Sequence, residues 1–265
     1  MGGQRMTSNA EYHADPAISA SHLHAVAASP YHYWKRFIDP NRPVVPPTAA
    51  MRLGTLVHCA VLEPDELSAR YGIAPDRRTK EGKAAAAEME AAGIEPVSAA
   101  DMEQAMAMSA SVRSHPDAAA LLKTGKAEQS FWWDDTISGL RCKCRPDWMT
   151  NDTLVDLKTT TDASPAGFAR SVAHWRYHVQ ADHYQAGTFA RRFVFIAVEK
   201  TYPFAVGVYE LDNDAMDHAI VLRRQNLDTI ADCRAISEWP GYSTQTISLP
   251  RWALQTSDTI TSDDF

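Results

Sequence analysis

Two short stretches decide the fold, RCKCRPD at residues 141–147 and TLVDLK at residues 153–158. Both are read as strands joined by a turn, so the sequence predicts neighbouring strands of a meander. Asp147 then lies near the end of one strand and Asp156 on the next, and we expect the two carboxylates to converge at one edge. The residue after Asp156 alternates into the core, which leaves Asp156 and Lys158 on the same side.

Two converging carboxylates suit Mg²⁺ or Mn²⁺, which prefer oxygen ligands. A lysine beside them can orient or deprotonate a water and can offset negative charge in a transition state, so the pattern indicates phosphodiester hydrolysis. A bare Asp-x-Lys is also typical of a strand-end ion pair. Asp156, however, lies in an otherwise apolar strand, where a charge needs a partner or a metal. The following helices add Gln180 and Tyr184, spaced for one helix face.

The rest of the chain predicts helices around these strands. Helical spacing recurs before residue 125, across 165–190 and across 213–238, and two further strands are predicted at 193–198 and 204–210. We therefore expect a mixed α/β sandwich with a helical N-terminal extension. Its expected organisation is a flexible N-terminus at 1–17, a single domain at 18–240 with its catalytic core at about 128–210, and an irregular tail at 241–265.

Composition limits the function classes. The chain has 265 residues, 45% of them hydrophobic and 22% charged, as in an ordinary globular protein. It contains no apolar run long enough for a membrane span and no visible secretory signal, so we expect a cytoplasmic protein with its four cysteines reduced. The net charge of −7 argues against a general nucleic-acid coat but allows a locally basic channel.

The motifs together resemble a known family. Asp147, Asp156-x-Lys158 and Gln180-x-x-x-Tyr184 resemble the PD-(D/E)xK nuclease core, a restriction-endonuclease-like mixed sheet flanked by helices, in its RecB-type branch. That branch carries a histidine on an upstream helix, which GTLVH at 54–58 matches. The chain is most similar to the exonuclease VIII (RecE-type) family of phage and prophage recombination. The resemblance covers about residues 18–252, and its further matches are ISAS at 18–21, SP at 29–30, LEP at 62–64 and KCRPD at 143–147.

The resemblance implies roles for individual residues. His58, Asp147 and Asp156, helped by the backbone carbonyl of Leu157, would bind Mg²⁺ or Mn²⁺, with two ions expected. Lys158 would position the attacking water. Gln180 and Tyr184 would hold the DNA strand or brace the lysine. Glu128 is close enough in sequence to approach the metals, but we interpret it as an ordinary carboxylate at the start of a strand.

The resemblance also implies an activity and partners. Members of this family degrade linear double-stranded DNA from the 5′ end, processively, as ring-shaped oligomers, and work beside a single-strand annealing protein. We therefore expect an exodeoxyribonuclease of a bacterial cell, of phage or prophage origin. It would leave 3′ single-stranded overhangs for recombination and act as a trimeric or tetrameric ring. Some relatives hold an iron–sulfur cluster, but only Cys233 follows the core here, so we expect no cluster.

A nuclease needs cations for the DNA phosphates, and two groups are candidates. One belongs to a charge run at 77–83 that is equally typical of a solvated loop. The other alternates along the strand before Asp147, so its members share a face. The residues are Arg77, Arg78 and Lys80 in the first group and Arg141, Lys143 and Arg145 in the second.

Three alternatives stay open at this point. The first is another nuclease of the same fold, either a structure-specific endonuclease or a Cas4-like end-trimming enzyme, although the missing cysteine set counts against the latter. The second is a catalytically inactive protein that binds DNA ends. The third is an unrelated protein in which Asp147 and Asp156 form surface ion pairs, which the combined motifs disfavour.

Overall fold

The structure is a computed structural model that describes residues 3–5 and 8–250. Within these residues no helix is both long and apolar enough to cross a membrane. A π-helical turn continues the third helix over Trp34–Ile38, and a 3₁₀ turn covers Pro64–Glu66. The α-helices are α1 Asn9–Ala14, α2 Ala20–Ala28, α3 Pro30–Tyr33, α4 Ala49–Leu62, α5 Leu67–Arg70, α6 Lys80–Ala91, α7 Ala99–Ser114, α8 Pro116–Leu122, α9 Pro165–Trp175, α10 Tyr177–Thr188 and α11 Asn213–Ile236.

The strands of the described residues form three sheets. They are β1 Gly3–Arg5, β2 Tyr71–Ile73, β3 Glu95–Val97, β4 Lys126–Ala127, β5 Ser130–Asp134, β6 Arg141–Cys144, β7 Trp148–Met149, β8 Thr153–Thr160, β9 Arg192–Glu199 and β10 Val206–Glu210. The main sheet has five strands in the order β10-β9-β8-β7-β4, with β8 and β9 parallel and the other pairs antiparallel. A second sheet has the order β1-β5-β6, and β2 pairs with β3. This mixed α/β architecture confirms the predicted fold class.

One bent hairpin connects the two larger sheets. β4 pairs with β7, and β5 pairs with β6, in one continuous register. Between these two ladders both strands are interrupted, near Glu128 on one side and at Arg145-Pro146-Asp147 on the other. Glu128 has a positive φ of 52°, and Pro146 has no backbone N–H to donate to a ladder. The hairpin therefore bends from one sheet into the other at this point.

At this bend the structure differs from the predicted meander. The sequence pattern predicts one continuous strand over residues 140–149, which contains the stretch 141–147, and a further strand over 153–158. The structure divides the first of these into β6 and β7, which belong to different sheets, and extends the second to Thr160. Strand alternation alone contains no signal for such a division, because both halves keep the same hairpin register.

Strand β8 lies between two apolar layers. On one face Val155 and Leu157 pack into a core with residues of α4, α7 and α8. On the other face Leu154 packs with Phe168 and Phe193 beside α9 and α10. Because side chains alternate along a strand, Asp156 and Lys158 belong to the same side as Leu154 and face α10.

The N-terminal segment departs from the flexible stretch expected at residues 1–17. β1 adds a strand to the edge of β5, and α1 forms a helix with a capping box between Ser8 and Glu11. Tyr12 and Ala17 are buried, and both pack with Trp132 in a small apolar cluster. The described part of this segment thus contributes regular structure. Residues 241–250 of the expected tail contain no helix or strand, and residues 251–265 lie outside the described part.

A buried carboxylate ties the β5–β6 turn to α11, and it supports a prediction about stability. Asp135 accepts hydrogen bonds from Ser138 and from Arg224 Nη1 at 2.7 Å. Burial acts to raise the pKa of Asp135, but these hydrogen bonds lower it from 3.8 to about 2. We expect Asp135→Asn to destabilise the fold by about 1–3 kcal/mol at neutral pH, because charged hydrogen bonds are lost.

The pH dependence of that loss follows from the lowered pKa. The contribution is complete above the unfolded value near 3.8 and disappears as the pH falls towards about 2. Urea unfolding of both proteins between pH 7 and pH 2 measures the difference. The control is Asp134→Asn, which removes an exposed carboxylate paired with Arg141. Equal stability of Asp135→Asn and wild type at pH 7 would contradict the prediction.

Candidate active site

The two predicted carboxylates meet where β7 and β8 pair. Trp148 lies opposite Val155, so the same register places Asp147 opposite Asp156. Asp147 Oδ2 accepts a hydrogen bond of 2.7 Å from the backbone N–H of Leu157. This contact fixes the Asp147 side chain at the edge of β8, while Asp156 is only 1% exposed. The strand pairing thus sets the two carboxylates opposite each other at this edge of β8.

Lys158 and Gln180 surround the carboxylate of Asp156. Lys158 Nζ lies 2.5 Å from Asp156 Oδ2, and Gln180 Nε2 donates to Asp156 Oδ1 at 2.6 Å. Gln180 Oε1 in turn accepts from Lys158 Nζ at 3.2 Å. The ring of Tyr177, one turn before Gln180 on α10, has its centroid 4.6 Å from the same ammonium. One face of α10 therefore holds the lysine from two sides.

The charge state of this pair follows from its burial. Burial raises the pKa of Asp156 to about 6 against the opposing attraction of Lys158. Burial also acts to lower the pKa of Lys158, but the Asp156 and Asp147 carboxylates hold it above its usual value. The two carboxylates therefore favour the ammonium form of Lys158. It can hold a water or stabilise negative charge, but it has no free electron pair with which to accept a proton.

A second group of ligands adjoins this pair. His58, Glu128 and Asp147 each offer one ligand atom, and these three atoms lie within 4.8 Å of one another. His58 Nδ1 is 3.5 Å from Asp147 Oδ2. His58 comes from α4, whose N-cap is Thr48, and the other two come from opposite sides of the hairpin bend. One imidazole and two carboxylates are a donor set that suits a divalent cation.

Glu128 is the ligand candidate that the sequence interpretation set aside. Glu128 Oε2 lies 4.0 Å from Arg145 Nε, which is the upper limit for an ion pair. Burial and the nearby Asp147 carboxylate raise the pKa of Glu128 to about 8. Two carboxylates brought together in this way repel one another unless a cation or a proton lies between them. The residues of this group therefore fit a divalent metal ion.

A strand-start glutamate gives no sequence signal for such a role. Glu128 reaches the site because its φ is positive and the hairpin bends there. Tyr177 was also not predicted, although the one-turn spacing from Gln180 could have indicated it. Leu157 does contribute backbone to the site, through its N–H, and its carbonyl stays a predicted ligand.

The second group of predicted DNA-contacting cations requires a correction. Lys143 is 2% exposed, and its ammonium donates to the carbonyls of Tyr12 and Asp15. Arg145 is also buried, and its guanidinium contacts Ser130 and the N-terminal segment at residues 8–9. Arg141 is exposed and paired with Asp134. Because α1 covers this face of β6, the three cations do not form an open row.

The first group of predicted DNA-contacting cations, Arg77, Arg78 and Lys80, lies on the surface. Arg77 and Arg78 precede α6. Arg77 pairs with Glu90 near the C-terminal end of that helix, and Arg78 pairs with Asp76. Lys80 is exposed at the first position of the same helix. Within the described residues no hydrogen bond or ion pair joins this group to the site. A role of these residues in DNA binding therefore stays a prediction.

Tyr184 follows Gln180 on the same face of α10. Its ring packs against Phe193, with centroids 6.0 Å apart. Burial raises the pKa of its hydroxyl well above the usual range. The structure thus brings Tyr184 next to the Asp156 side of β8 as part of the apolar layer, while Gln180 supplies the polar contacts.

The site and the fold agree with a comparison against protein-family models. Residues 19–249 match the family described as PDDEXK-like domain of unknown function (DUF3799). The match covers most of the chain, and the chain belongs to this family. The predicted resemblance to the PD-(D/E)xK core is confirmed. A search of curated proteins found no match.

One solved structure shows the same fold. A protein from Eubacterium rectale, provisionally described as an exonuclease, superposes with a TM-score of 0.65 at 14% identity, over 96% of this chain and 100% of its own. An alkaline exonuclease from Laribacter hongkongensis gives a TM-score of 0.33 at 14% identity, over 84% of this chain and 92% of its own. A phage-related exonuclease from Haemophilus somnus 129PT gives a TM-score of 0.36 at 11% identity, over 83% of this chain and 95% of its own. The last two likenesses are too weak to support an argument.

Proposed function

We propose that this protein is a metal-dependent nuclease that hydrolyses phosphodiester bonds of DNA from the ends of linear duplexes. The observation that carries the proposal is the convergence of His58, Glu128, Asp147, Asp156 and Lys158 at one edge of β8. Two features support it further. The chain belongs to a PDDEXK-like family, and the Eubacterium rectale protein of the same fold is provisionally described as an exonuclease.

The proposed cofactor is Mg²⁺ or Mn²⁺, in the two-ion arrangement that the sequence resemblance implies. His58, Glu128 and Asp147 would hold it, together with Asp156 and the carbonyl of Leu157. A bound divalent ion supplies Lewis acidity to the phosphate oxygens and lowers the pKa of a bound water. The oxygen-rich donor set and the crowding of the carboxylates support this assignment.

The residues of the chain itself would orient the reaction. Lys158 would hold the attacking water through its ammonium and would offset the charge that develops on the phosphate. Gln180 contacts both Lys158 and Asp156, so it keeps the two side chains in a fixed relation. The ring of Tyr177 restricts the ammonium from the other side.

The finer properties are proposed from the sequence resemblance. They are digestion from 5′ to 3′, processive movement, and 3′ single-stranded overhangs for phage-type recombination. A trimeric or tetrameric ring and a single-strand annealing partner belong to the same proposal, as does action in the cytoplasm of a bacterial host. The acidic net charge of −7 is compatible with a ring that is acidic outside and basic in its channel.

A comparison of linear and circular DNA tests the proposal. Duplex DNA labelled at one 5′ end and a covalently closed circle of the same sequence are incubated with Mg²⁺ or EDTA. We expect loss of the linear form only with Mg²⁺, an intact circle, and early release of the 5′ label. Cutting of the circle would instead indicate an endonuclease. Absence of cleavage with retained binding to ends would indicate a binding protein.

Removal of Glu128 tests the ligand that was not predicted from the sequence. We expect Glu128→Gln to raise the Mg²⁺ concentration for half-maximal cleavage by at least about 10-fold, because losing even an outer partner of a metal ligand has that effect. Titration calorimetry with Mn²⁺ measures the binding directly. The control is Glu103→Gln, an exposed site on α7. An unchanged metal affinity in Glu128→Gln would contradict the assignment.

A further inference from the structure

A cavity of about 400 Å³ lies between α9, the start of α10, the end of β10 and the first turns of α11. Most of its lining is apolar and includes Phe168, Val172 and Tyr209. None of the residues that line it belongs to the proposed metal centre or to the group around Lys158. The volume lies within the usual range for ligand pockets, about 300–1,000 Å³.

A buried polar atom in this cavity has no partner among the described residues. His178 is 7% exposed, and its Nε2 atom makes no hydrogen bond there. Burial lowers the pKa of His178, against an opposing hydrogen bond with the backbone of Val172. Because a backbone carbonyl only accepts, we assign the proton of the neutral ring to Nδ1, which leaves Nε2 as an acceptor. A buried acceptor without a partner is costly unless a ligand donates to it.

The charges of the lining argue against a DNA strand as the ligand. Among the described residues that line the cavity, Glu210 and Asp212 are carboxylates and none is a lysine or an arginine, so phosphate groups are repelled. The rings of His178 and His218 stack with centroids 5.5 Å apart, and neither belongs to a metal-ligand group of the described residues. The lining instead suits an apolar group with a hydrogen-bond donor at its end, such as the phenol of a tyrosine.

An exposed tyrosine lies at the opposite end of strand β10. Tyr202 belongs to the turn that precedes this strand, whereas Glu210 ends the strand and Asp212 follows it. Tyr202 is 87% exposed, the largest fraction for any aromatic side chain in the described part of the chain. One edge strand therefore carries an exposed aromatic ring at one end and an apolar cavity at the other.

The turn that carries Tyr202 is held in place by α7. Gln104 donates a hydrogen bond to the Lys200 carbonyl at 2.5 Å, and Ser111 donates one to the Phe204 carbonyl at 2.6 Å. The Phe204 N–H closes the turn on the carbonyl of Thr201 at 2.7 Å. An aromatic ring presented to solvent by a fixed turn is pre-organised to serve as an interface anchor.

We propose that Tyr202 of one copy of this chain binds in this cavity of a second copy, where its hydroxyl donates to His178 Nε2. The inference goes beyond the proposed nuclease function, because it concerns assembly and needs no catalysis. Lys200 accompanies the tyrosine and has the charge opposite to that of Glu210 and Asp212 at the cavity. Since the ring and the cavity lie at opposite ends of β10, copies add head to tail until the assembly closes or extends as a fibre.

Analytical ultracentrifugation of the full chain, in EDTA and without DNA, tests the proposal. We expect Tyr202→Ser to weaken self-association by at least about 10-fold, because losing a buried interface anchor has an effect of that size. Tyr202→Phe keeps the ring without the donor and should weaken association less. Ala173→Trp places a large side chain at an exposed position of α9 that lines the cavity, and it should weaken association as strongly as Tyr202→Ser.

Two matched controls change the same residue types elsewhere. Tyr242→Ser removes another exposed tyrosine, and Ala166→Trp adds the same bulk at an exposed position of α9 outside the cavity. Both should associate as wild type does. Circular dichroism and cooperative thermal unfolding check that each variant is folded.

A mixing experiment tests the pairing of the two surfaces. Tyr202→Ser keeps the cavity and lacks the tyrosine, whereas Ala173→Trp keeps the tyrosine and has a filled cavity. At a concentration where neither variant associates alone, an equimolar mixture should form dimers with one copy of each and nothing larger. Absence of these dimers would overturn the proposal.

The remaining outcomes separate this proposal from the nuclease assignment. A monomeric wild type, or equal association of wild type and Tyr202→Ser, would overturn the proposal, and the second comparison holds even if Ala173→Trp does not fold. Weakening by Ala173→Trp alone would overturn the role of Tyr202. Cleavage of linear DNA is measured separately: assembly through Tyr202 without Mg²⁺-dependent cleavage overturns only the nuclease assignment, and cleavage by a monomeric wild type overturns only this proposal.

Discussion

Asp156→Asn is expected to reduce DNA cleavage by at least about 10³-fold while the fold persists, since a metal-assisted hydrolysis loses several kcal/mol of transition-state stabilisation. Asp156 is 1% exposed and contacts both Lys158 and Gln180. Asparagine keeps the shape and an oxygen acceptor for Gln180, but it removes the negative charge that a divalent ion and the ammonium require. Initial rates of nucleotide release from linear duplex DNA with saturating Mg²⁺ measure the effect.

Stability and binding controls make the Asp156 result interpretable. Thermal unfolding of Asp156→Asn should show a cooperative transition, and DNA affinity in EDTA should stay close to that of wild type. The matched control is Asp152→Asn, which removes an exposed carboxylate from the turn between β7 and β8, four residues before Asp156. Cleavage by Asp156→Asn at a rate near wild type would overturn the assignment of the site.

Lys158→Met should produce the second large loss, at least about 10²-fold in cleavage rate, because a preorganised charge beside the reacting phosphate is removed. Methionine fills a similar volume without the ammonium. DNA affinity and Mn²⁺ affinity should remain largely intact, because Lys158 is a donor and not a metal ligand. Single-turnover rates, together with calorimetric titration of Mn²⁺, separate the chemical step from binding.

Two further variants complete the lysine test. Lys123→Met removes an exposed lysine at the end of α8 and should behave as wild type. Gln180→Leu removes the amide that contacts both Asp156 and Lys158, and its rate should fall less than that of Lys158→Met. Hydrolysis by Lys158→Met at the wild-type rate would show that another group orients the water.

Local sequence pattern was sufficient to predict the centre of the site. Asp156 and Lys158 share a side because strand alternation imposes it, and Leu157 lies in the core as expected. Asp147 converges on them because the short turn after β7 fixes the register with β8. Two helices begin at start signals that the sequence contains, the N-cap Ser29 with Pro30 for α3 and the N-cap Thr48 for α4.

The missed features depend on how distant segments meet. Glu128 reaches Asp147 only through a bend of the hairpin, and neither strand shows that bend in its alternation. Lys143 and Arg145 share a face as predicted, but the face is covered by Tyr12 of α1, which sequence spacing cannot show.

The most direct test of the central claim is a Mg²⁺ titration of nucleotide release from uniformly labelled linear duplex DNA, with wild type and Asp147→Asn side by side. The Asp147 carboxylate contacts Leu157 and lies beside His58, so its removal affects the proposed metal centre directly. We predict a saturable dependence on Mg²⁺ in wild type, no release in EDTA, and a loss of at least about 10²-fold in Asp147→Asn. Release in EDTA, or an equal rate in both proteins, would contradict the account.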